Sequence, residues 1–175
     1  VDDFGDPLAT GAIGEVLARG PNVVRGYWNK PQETAETFVD GWVRTGDLGR
    51  VDEDGYLYIV DRKKDMLIRG GENIYCAEVE AALYAHPAVM DAGVIGIEHP
   101  TLGEEPAAVV SLSPGTEASE AELQSFVAGR IAAFKVPVRI AIVPELLPRN
   151  PNGKLMKAQL RRLLAERPGG AATGA

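Results

Sequence analysis

The stretch YIVDRKKDMLIRGGENIYCAEVE, Tyr58 to Glu80, decides how this chain is built. Its β-branched and aromatic opening, Tyr58-Ile59-Val60, has strand character. An unbroken charged run follows, Asp61-Arg62-Lys63-Lys64-Asp65, and then a short apolar strand, Met66-Leu67-Ile68. Arg69, Gly70, Gly71 and Glu72 come next, before a segment with helical spacing. Strand, charged joint, strand and glycine pair together mark a boundary between two bodies.

Upstream of the joint the chain is β-rich. Ile13 to Ala18 alternates as a strand between glycines, and Asn22 to Tyr27 is a second candidate. Pro31 opens a short helix, PQETAETF, with acids in its first turn. Trp42 to Asp47 reads as a strand entering a turn, and Leu48 to Val51 as another short strand. Asp54-Gly55 is a two-residue turn signal that returns the chain as a hairpin through Tyr56 to Val60. These strands leave edges unpaired, so their partners are expected upstream of Val1. An opening at Val rather than Met, with Asp2, Asp3 and Asp6 close behind, reads as the middle of a longer protein.

Downstream the pattern changes to α+β. Cys76 to His86 carries Val79, Ala82 and Leu83 at helical spacing, and Pro87 stops it. Val89 to Ile97 and Ala107 to Leu112 read as strands joined by a polar loop. Ser119 and Glu122 form a capping box for a helix running to Phe134, with an apolar stripe of Leu123, Phe126, Val127, Ile131 and Phe134. Arg139 to Val143 is a third strand. After a turn-rich loop, Pro148 to Gly153, a last amphipathic helix runs from Met156 to Ala165 and buries Leu160, Leu163 and Leu164. The expectation is a three-stranded sheet with helices, large enough for its own core.

The bulk numbers bound the function. A 175-residue chain with 45% hydrophobic and 25% charged residues is that of a globular protein, one domain or a small domain plus part of another. A net charge of −7 argues against broad nucleic-acid or anionic-membrane binding. The single cysteine, Cys76, excludes an intrachain disulfide and fits a reducing, cytoplasmic compartment. No apolar run is long enough to span a bilayer, and no signal segment is visible.

Three groups could carry chemistry, and each also has a plain structural reading. Asp47, at a strand end after Thr45-Gly46, could accept ribose hydroxyls or simply bond its own backbone in a turn. Arg62 in the charged joint could hold a ribose or phosphate through its planar fork, or the joint could be a solvated linker. Lys154 follows a glycine in LPRNPNGK and could neutralise developing negative charge, or be a surface lysine in a turn. Gly70 and Gly71 admit a ligand near the backbone, or make a turn. Two histidines, His86 and His99, beside prolines in expected loops, and one cysteine give no zinc site and no Ser-His-Asp arrangement.

Taken in order, GWVRTGDLG (Gly41 to Gly49), GYLYIVDRKKDMLIRGGENIYCAEVE (Gly55 to Glu80) and FKVPVRIAIVPELLPRNPNGK (Phe134 to Lys154) with the helix after it resemble the adenylate-forming superfamily. Within it they resemble the AMP-forming acyl-CoA synthetases, over nearly the whole chain. The resemblance implies activation of a carboxylic acid by ATP to an acyl-adenylate, then displacement of AMP by the thiol of CoA. It implies a fold in which a large N-terminal domain carries a small C-terminal domain that turns between the two half-reactions. Residues 1–61 match the end of the large domain, 62–65 the hinge region, and 66–166 the complete small domain, with 167–175 expected as a disordered tail.

By the same resemblance Asp47 and Arg62 hold the ribose, Lys64 is the hinge, and Lys154 is the adenylation lysine. Gly71, with Gly70 beside it, lines the pantetheine channel. Two positions depart from the family: Asp61 stands where Gly is common before the arginine, and Cys76 where Pro is common. The phosphate loop and the acid pocket are expected upstream, so Mg would be held through ATP and upstream residues, and no metal site is expected here. The chain alone is expected to be inactive without the missing N-terminal domain. GGENIY resembles the branch acting on fatty or other apolar acids. The alternatives are a peptide-synthetase adenylation domain that loads a carrier protein, and a detached non-catalytic module.

Overall fold

The computed structural model describes residues 1–167, which fall into two units that divide at the charged joint. One unit is Val1–Lys64 and the other begins at Asp65. No helix among the described residues is long and apolar enough to cross a membrane.

The first unit is a four-stranded sheet. Its strands are β1 (Gly14–Ala18), β2 (Phe38–Val39), β3 (Trp42–Val51) and β4 (Leu57–Arg62), with one short helix, α1 (Pro31–Thr37). The long strand β3 is the centre, pairing antiparallel with β1, β2 and β4. Two details differ from expectation. Trp42–Val51 is one strand and not two, because β3 absorbs the Thr45-Gly46-Asp47 turn as a bulge: Glu15 faces Leu48 while Leu17 faces Arg44. Residues 22–27 form turns instead of a strand, and the Tyr27 N–H donates to Thr34 Oγ1 at 2.9 Å rather than to a neighbouring ladder.

The second unit is α+β. Its strands are β5 (Leu67–Arg69), β6 (Glu72–Ile74), β7 (Val89–His99), β8 (Gly103–Leu112) and β9 (Arg139–Val143). Its helices are α2 (Cys76–Tyr84), α3 (Glu120–Ala128) and α4 (Lys157–Glu166). The sheet has five strands, not three, in the order β6-β5-β8-β7 with β9 on β8. The two additional strands are the hairpin that frames Gly70-Gly71. Both glycines have positive φ, 58° and 88°, as a two-residue hairpin turn of right-handed twist requires. The hairpin then joins the main sheet through Arg69 opposite Gly103.

Alternation along β7, β8 and β9 sends side chains to two apolar layers. Ala92, Val94, Ala108, Val110 and Ile140 pack with α2 and α3 residues Val79, Leu83, Leu123 and Val127. Ile95, Ala107, Val109, Ala141 and Val143 pack with Leu160 and Leu164 of α4. Each Val, Leu or Ile among them, fully buried, contributes about 1.5–3 kcal/mol.

The capping box at Ser119 forms, with both reciprocal hydrogen bonds present, but α3 stops at Ala128 because Gly129-Arg130 turns the chain. Ile131 and Phe134 still reach the same core from beyond that turn. The expected loop between β7 and β8 shrinks to residues 100–102, since His99 Nδ1 accepts the N–H groups of Thr101 and Leu102 and closes the turn. Of the expected tail, Arg167 is described and donates to the Ile142 carbonyl, while 168–175 lie outside the described residues.

Candidate functional site

In the first unit the bulge in β3 positions Asp47. Thr45 Oγ1 donates to the Val16 carbonyl at 2.7 Å, filling the gap that the extra residues leave in the ladder, and accepts the Asp47 N–H at 3.0 Å. Gly46 turns the strand at φ 69°, so the next carboxylate points away from the regular ladder. Asp47 faces Arg62 across the β3–β4 pair, and Arg62 Nε sits 2.7 Å from Asp47 Oδ1. The two residues singled out from separate motifs are therefore direct neighbours. Asp47 does not bond its own backbone through its carboxylate in the manner of a simple turn. It has a second oxygen and Arg62 has further donors to offer a polyhydroxylated ligand.

The joint is anchored from both sides. Lys63 Nζ lies 2.8 Å from Asp3 Oδ1 and 3.5 Å from Glu15 Oε2. Glu15, only 6% exposed, also accepts both Nε and Nη2 of Arg44 on that same oxygen. Burial alone would push the Glu15 pKa up, but Arg44 and Lys63 together hold it below its ordinary value. The hydrogen bond to Asp3 in turn raises the pKa of Lys63. On the other side, Asp65 belongs to the second unit: its carboxylate lies 3.3 Å from Lys157 Nζ and 3.8 Å from Lys154 Nζ. Its carbonyl accepts the buried Cys76 thiol at 2.9 Å. Lys157 keeps its charge: burial pushes its pKa down, and Cys76 and Asp65 more than reverse that. Between these anchors stands Lys64, exposed. It is the middle residue of a 3-10 turn, Lys63–Asp65, whose two other members are tethered to different units.

Lys154 follows a hydrogen-bonded turn rather than a loose loop. Arg149 and Leu155 pair as an antiparallel bridge, and the N–H groups of Gly153 and Met156 donate to the Asn150 and Pro148 carbonyls, each at 2.9 Å. The Asn150 side chain accepts the Lys154 N–H at 2.9 Å. The Lys154 side chain is half exposed, with its ammonium near Asp65. The backbone of this lysine is fixed and its stem is free to reach.

Gly70 and Gly71 form the tip of the β5–β6 hairpin, and the Gly70 N–H donates to the Leu102 carbonyl at 2.8 Å. A side chain at position 71 would meet nothing within 4 Å, so the hairpin turn by itself accounts for glycine there. His86 is buried against Phe126 and accepts the Ala88 N–H; His99 closes its turn as described. Both histidines have structural partners. Among the described residues no group of three or more His, Cys, Asp or Glu could hold a metal ion.

Lys63, Asp91 and Arg149 are not among the candidate residues that the sequence offers. Asp91 had a visible signal: it is an acid inside the apolar run VMDAGVIGI, where a buried charge must find a partner. Lys63 and Arg149 carried no such mark.

Residues 78–154 match the family model of the AMP-binding enzyme C-terminal domain. The chain is 49% identical over 160 residues to a 2-succinylbenzoate–CoA ligase of Geobacillus kaustophilus, covering 91% of this chain and 32% of that protein. It is 44% identical over 161 residues to a fatty acid–[acyl-carrier-protein] ligase of Streptomyces coeruleorubidus, covering 92% and 31%. The structure of O-succinylbenzoate coenzyme A synthetase from Bacillus subtilis, in complex with ATP and magnesium, superimposes with a TM-score of 0.83 at 40% identity, over 92% of this chain and 33% of that one. The chain thus spans about a third of the length of the curated relatives it matches. With the motifs in order and this similarity in both sequence and fold, the chain belongs to the adenylate-forming (AMP-binding) superfamily and carries its C-terminal domain.

Proposed function

We propose that this chain is the C-terminal part of an AMP-forming acyl-CoA synthetase. The observation that carries the proposal is the joint: Lys64 lies between Lys63, tied into the first unit, and Asp65, tied into the second. An enzyme that reuses one site for two half-reactions needs such a pivot. In the first half-reaction a carboxylate oxygen of the acid attacks the α-phosphorus of ATP and pyrophosphate leaves. Lys154 bridges the carboxylate and the α-phosphate, where negative charge accumulates. Asp47 and Arg62 hold the ribose hydroxyls. In the second half-reaction the second unit turns about Lys64, Lys154 withdraws, and the CoA sulfur attacks the acyl carbonyl carbon as AMP leaves. Gly70-Gly71 then borders the pantetheine arm. Mg would be held through ATP and by residues upstream of those described here, and would supply neutralisation of the triphosphate's charge.

The acid is a fatty or other apolar carboxylic acid on this reading. That reading rests on the GGENIY stretch; a relative named for a fatty acid favours it, and one named for 2-succinylbenzoate, a dicarboxylate, does not. Carrier-protein loading is the second reading, favoured by the similarity to the acyl-carrier-protein ligase. Offering the whole protein either CoA or a carrier protein as acceptor separates the two.

The test of the main reading is Lys154→Ala in the whole protein. Adenylation, followed by pyrophosphate exchange, should fall by roughly two to three orders of magnitude. Thioester formation from preformed acyl-AMP should fall by less than about threefold, because the lysine has left the site by then. Equal loss in both half-reactions contradicts the assigned role. The 175-residue chain alone should exchange no pyrophosphate.

A further inference from the structure

Asp91 is the single carboxylate in the buried stretch of β7, and its side chain is 8% exposed. A carboxylate taken out of water costs several kcal/mol unless it is paired and hydrogen-bonded. Three donors converge on its Oδ1: Tyr84 Oη at 2.6 Å, the Ala92 N–H at 3.0 Å and Arg149 Nη2 at 2.8 Å. A bulge at the start of β7, where the register shifts between Val89 and Asp91, sets the direction of this side chain. Burial and the bond to Asp91 keep the Tyr84 phenol protonated above its ordinary range.

The other arm of the same guanidinium decides what the cluster is for. Arg149 Nη1 donates to the Gly153 carbonyl at 2.9 Å. That carbonyl belongs to the peptide unit that leads into Lys154. One planar, always charged group therefore joins a fixed carboxylate on β7 to the backbone immediately before the lysine. A second anchor lies two residues along β7, on the same face as Asp91. A Cβ at Gly93 would sit 2.6 Å from Leu160, 3.3 Å from Leu155 and 3.4 Å from Leu147. Leu147 and Leu155 flank the lysine turn on either side, and the bare backbone at Gly93 is what lets them settle onto the sheet.

We propose that Asp91 is a positioning residue for Lys154, acting through Arg149, with Tyr84 fixing the orientation of the carboxylate. The proposal rests on the reading of Lys154 as the adenylation lysine. A lysine stem has many rotamers to search before its ammonium reaches one place. Small misplacements of a charge-stabilising group cost large factors in rate. A rigid base under a flexible stem confines the search to the side chain alone. The brace leaves the thioester step untouched, since that step does not use the lysine.

Two measurements test this together. In the 175-residue chain, amide exchange by NMR is followed at Asn150, Gly153, Lys154 and Met156, with Val109 and Val110 as core controls. Arg149→Lys keeps the charge but cannot span both acceptors, and should speed exchange of the turn amides about tenfold or more with the core amides unchanged. Asp91→Asn should do the same to a smaller degree, and Tyr84→Phe least. In the whole protein, Arg149→Lys and Asp91→Asn should lower kcat for adenylation about tenfold, leave KM for ATP within about twofold, and spare thioester formation from acyl-AMP.

Unchanged turn amides in Arg149→Lys overturn the brace. So does loss of protection that spreads equally to the core, which is what a merely stabilising ion pair gives. Loss of turn protection with no change in adenylation overturns the positioning role, provided Lys154→Ala abolishes adenylation in the same assay. If Lys154→Ala leaves adenylation intact, the functional reading itself falls, and the exchange data still judge the brace.

Discussion

In Val1–Lys64 the buried side chains among the described residues are Leu48 and the carboxylate of Glu15, whereas from Asp65 onward both faces of the sheet are covered by apolar side chains. The first unit is ordered by a backbone ladder and by charge: Glu15 with Arg44 and Lys63, Asp3 with Lys63, Asp47 with Arg62. The second unit has ion pairs as well, but they sit on a core that already pays for its order. Fixing a residue's backbone costs about 1–2 kcal/mol, and exposed ion pairs return little of that. The contrast teaches a division of labour. One unit presents the Asp47–Arg62 pair on a weakly supported sheet, and the other carries Lys154 on a body with its own core.

The largest effect expected from this contrast is in amide exchange across the whole chain. Ladder amides of β8, such as Val109 and Val110, should exchange roughly a hundredfold or more slowly than those of β3 and β4. Comparable protection in the two sheets would break the comparison, since it would mean that a polar sheet stabilises itself as well as a cored one does.

How much of this was legible beforehand depends on the kind of interaction. The second unit was readable because its signals are local: Val89 to Ile97 and Ala107 to Leu112 are apolar runs of strand length, and Leu160, Leu163 and Leu164 share one helical face. The capping box at Ser119 was readable for the same reason, as two side chains at fixed spacing. The β5–β6 hairpin was only half seen, because Glu72-Asn73-Ile74 is too short to show a period. The bulge at Thr45-Gly46-Asp47 was invisible, since it depends on the register against Val16, nearly thirty residues away. The pairings of Lys63 with Glu15 and of Arg149 with Asp91 were hidden likewise, each depending on residues 48 and 58 positions apart. Of the candidate site, motif order singled out Asp47, Arg62, Lys64 and Lys154 as candidates, but the contacts of Asp47, Arg62 and Lys154 appear only in three dimensions.

A smaller effect sharpens the joint. Lys64→Pro fixes φ near −65° at the one residue between the two anchors. In the whole protein it should slow thioester formation about tenfold, equivalent to about 1.4 kcal/mol in the barrier, and adenylation by less than about threefold. The exchange rates of the β8 core amides should not change. If both half-reactions slowed alike, Lys64 would be a structural linker and not a pivot between independently anchored units.

The smallest effect concerns charge in the first unit, and its sign follows from Glu15. Its folded pKa lies below the ordinary value of 4.5, because Arg44 and Lys63 outweigh the opposing influence of burial. A depressed carboxylate contributes stability that is fully present above its unfolded pKa and lost as pH falls through its folded one. Both tryptophans, Trp28 and Trp42, lie in this unit, and Trp28 is 90% exposed and so reports little change. Trp42 is partly covered, with the Arg19 guanidinium 4.5 Å from its ring centroid, and its emission follows the first unit alone. The helices α2, α3 and α4 dominate the far-ultraviolet circular dichroism and follow the second. At pH 7, Glu15→Gln should lower the urea resistance read by Trp42 by about 2 kcal/mol, the worth of hydrogen bonds to a charged group. The gap between variant and parent should begin to narrow as pH drops below 4.5 and close once the pH has passed the lower folded pKa, while the dichroism transition stays the same in both proteins. A gap that persists after the pH has fallen through the pKa of Glu15 in the folded protein, located by NMR titration of its carboxyl carbon, would mean that Glu15 acts by packing and that charge is not what holds the first unit.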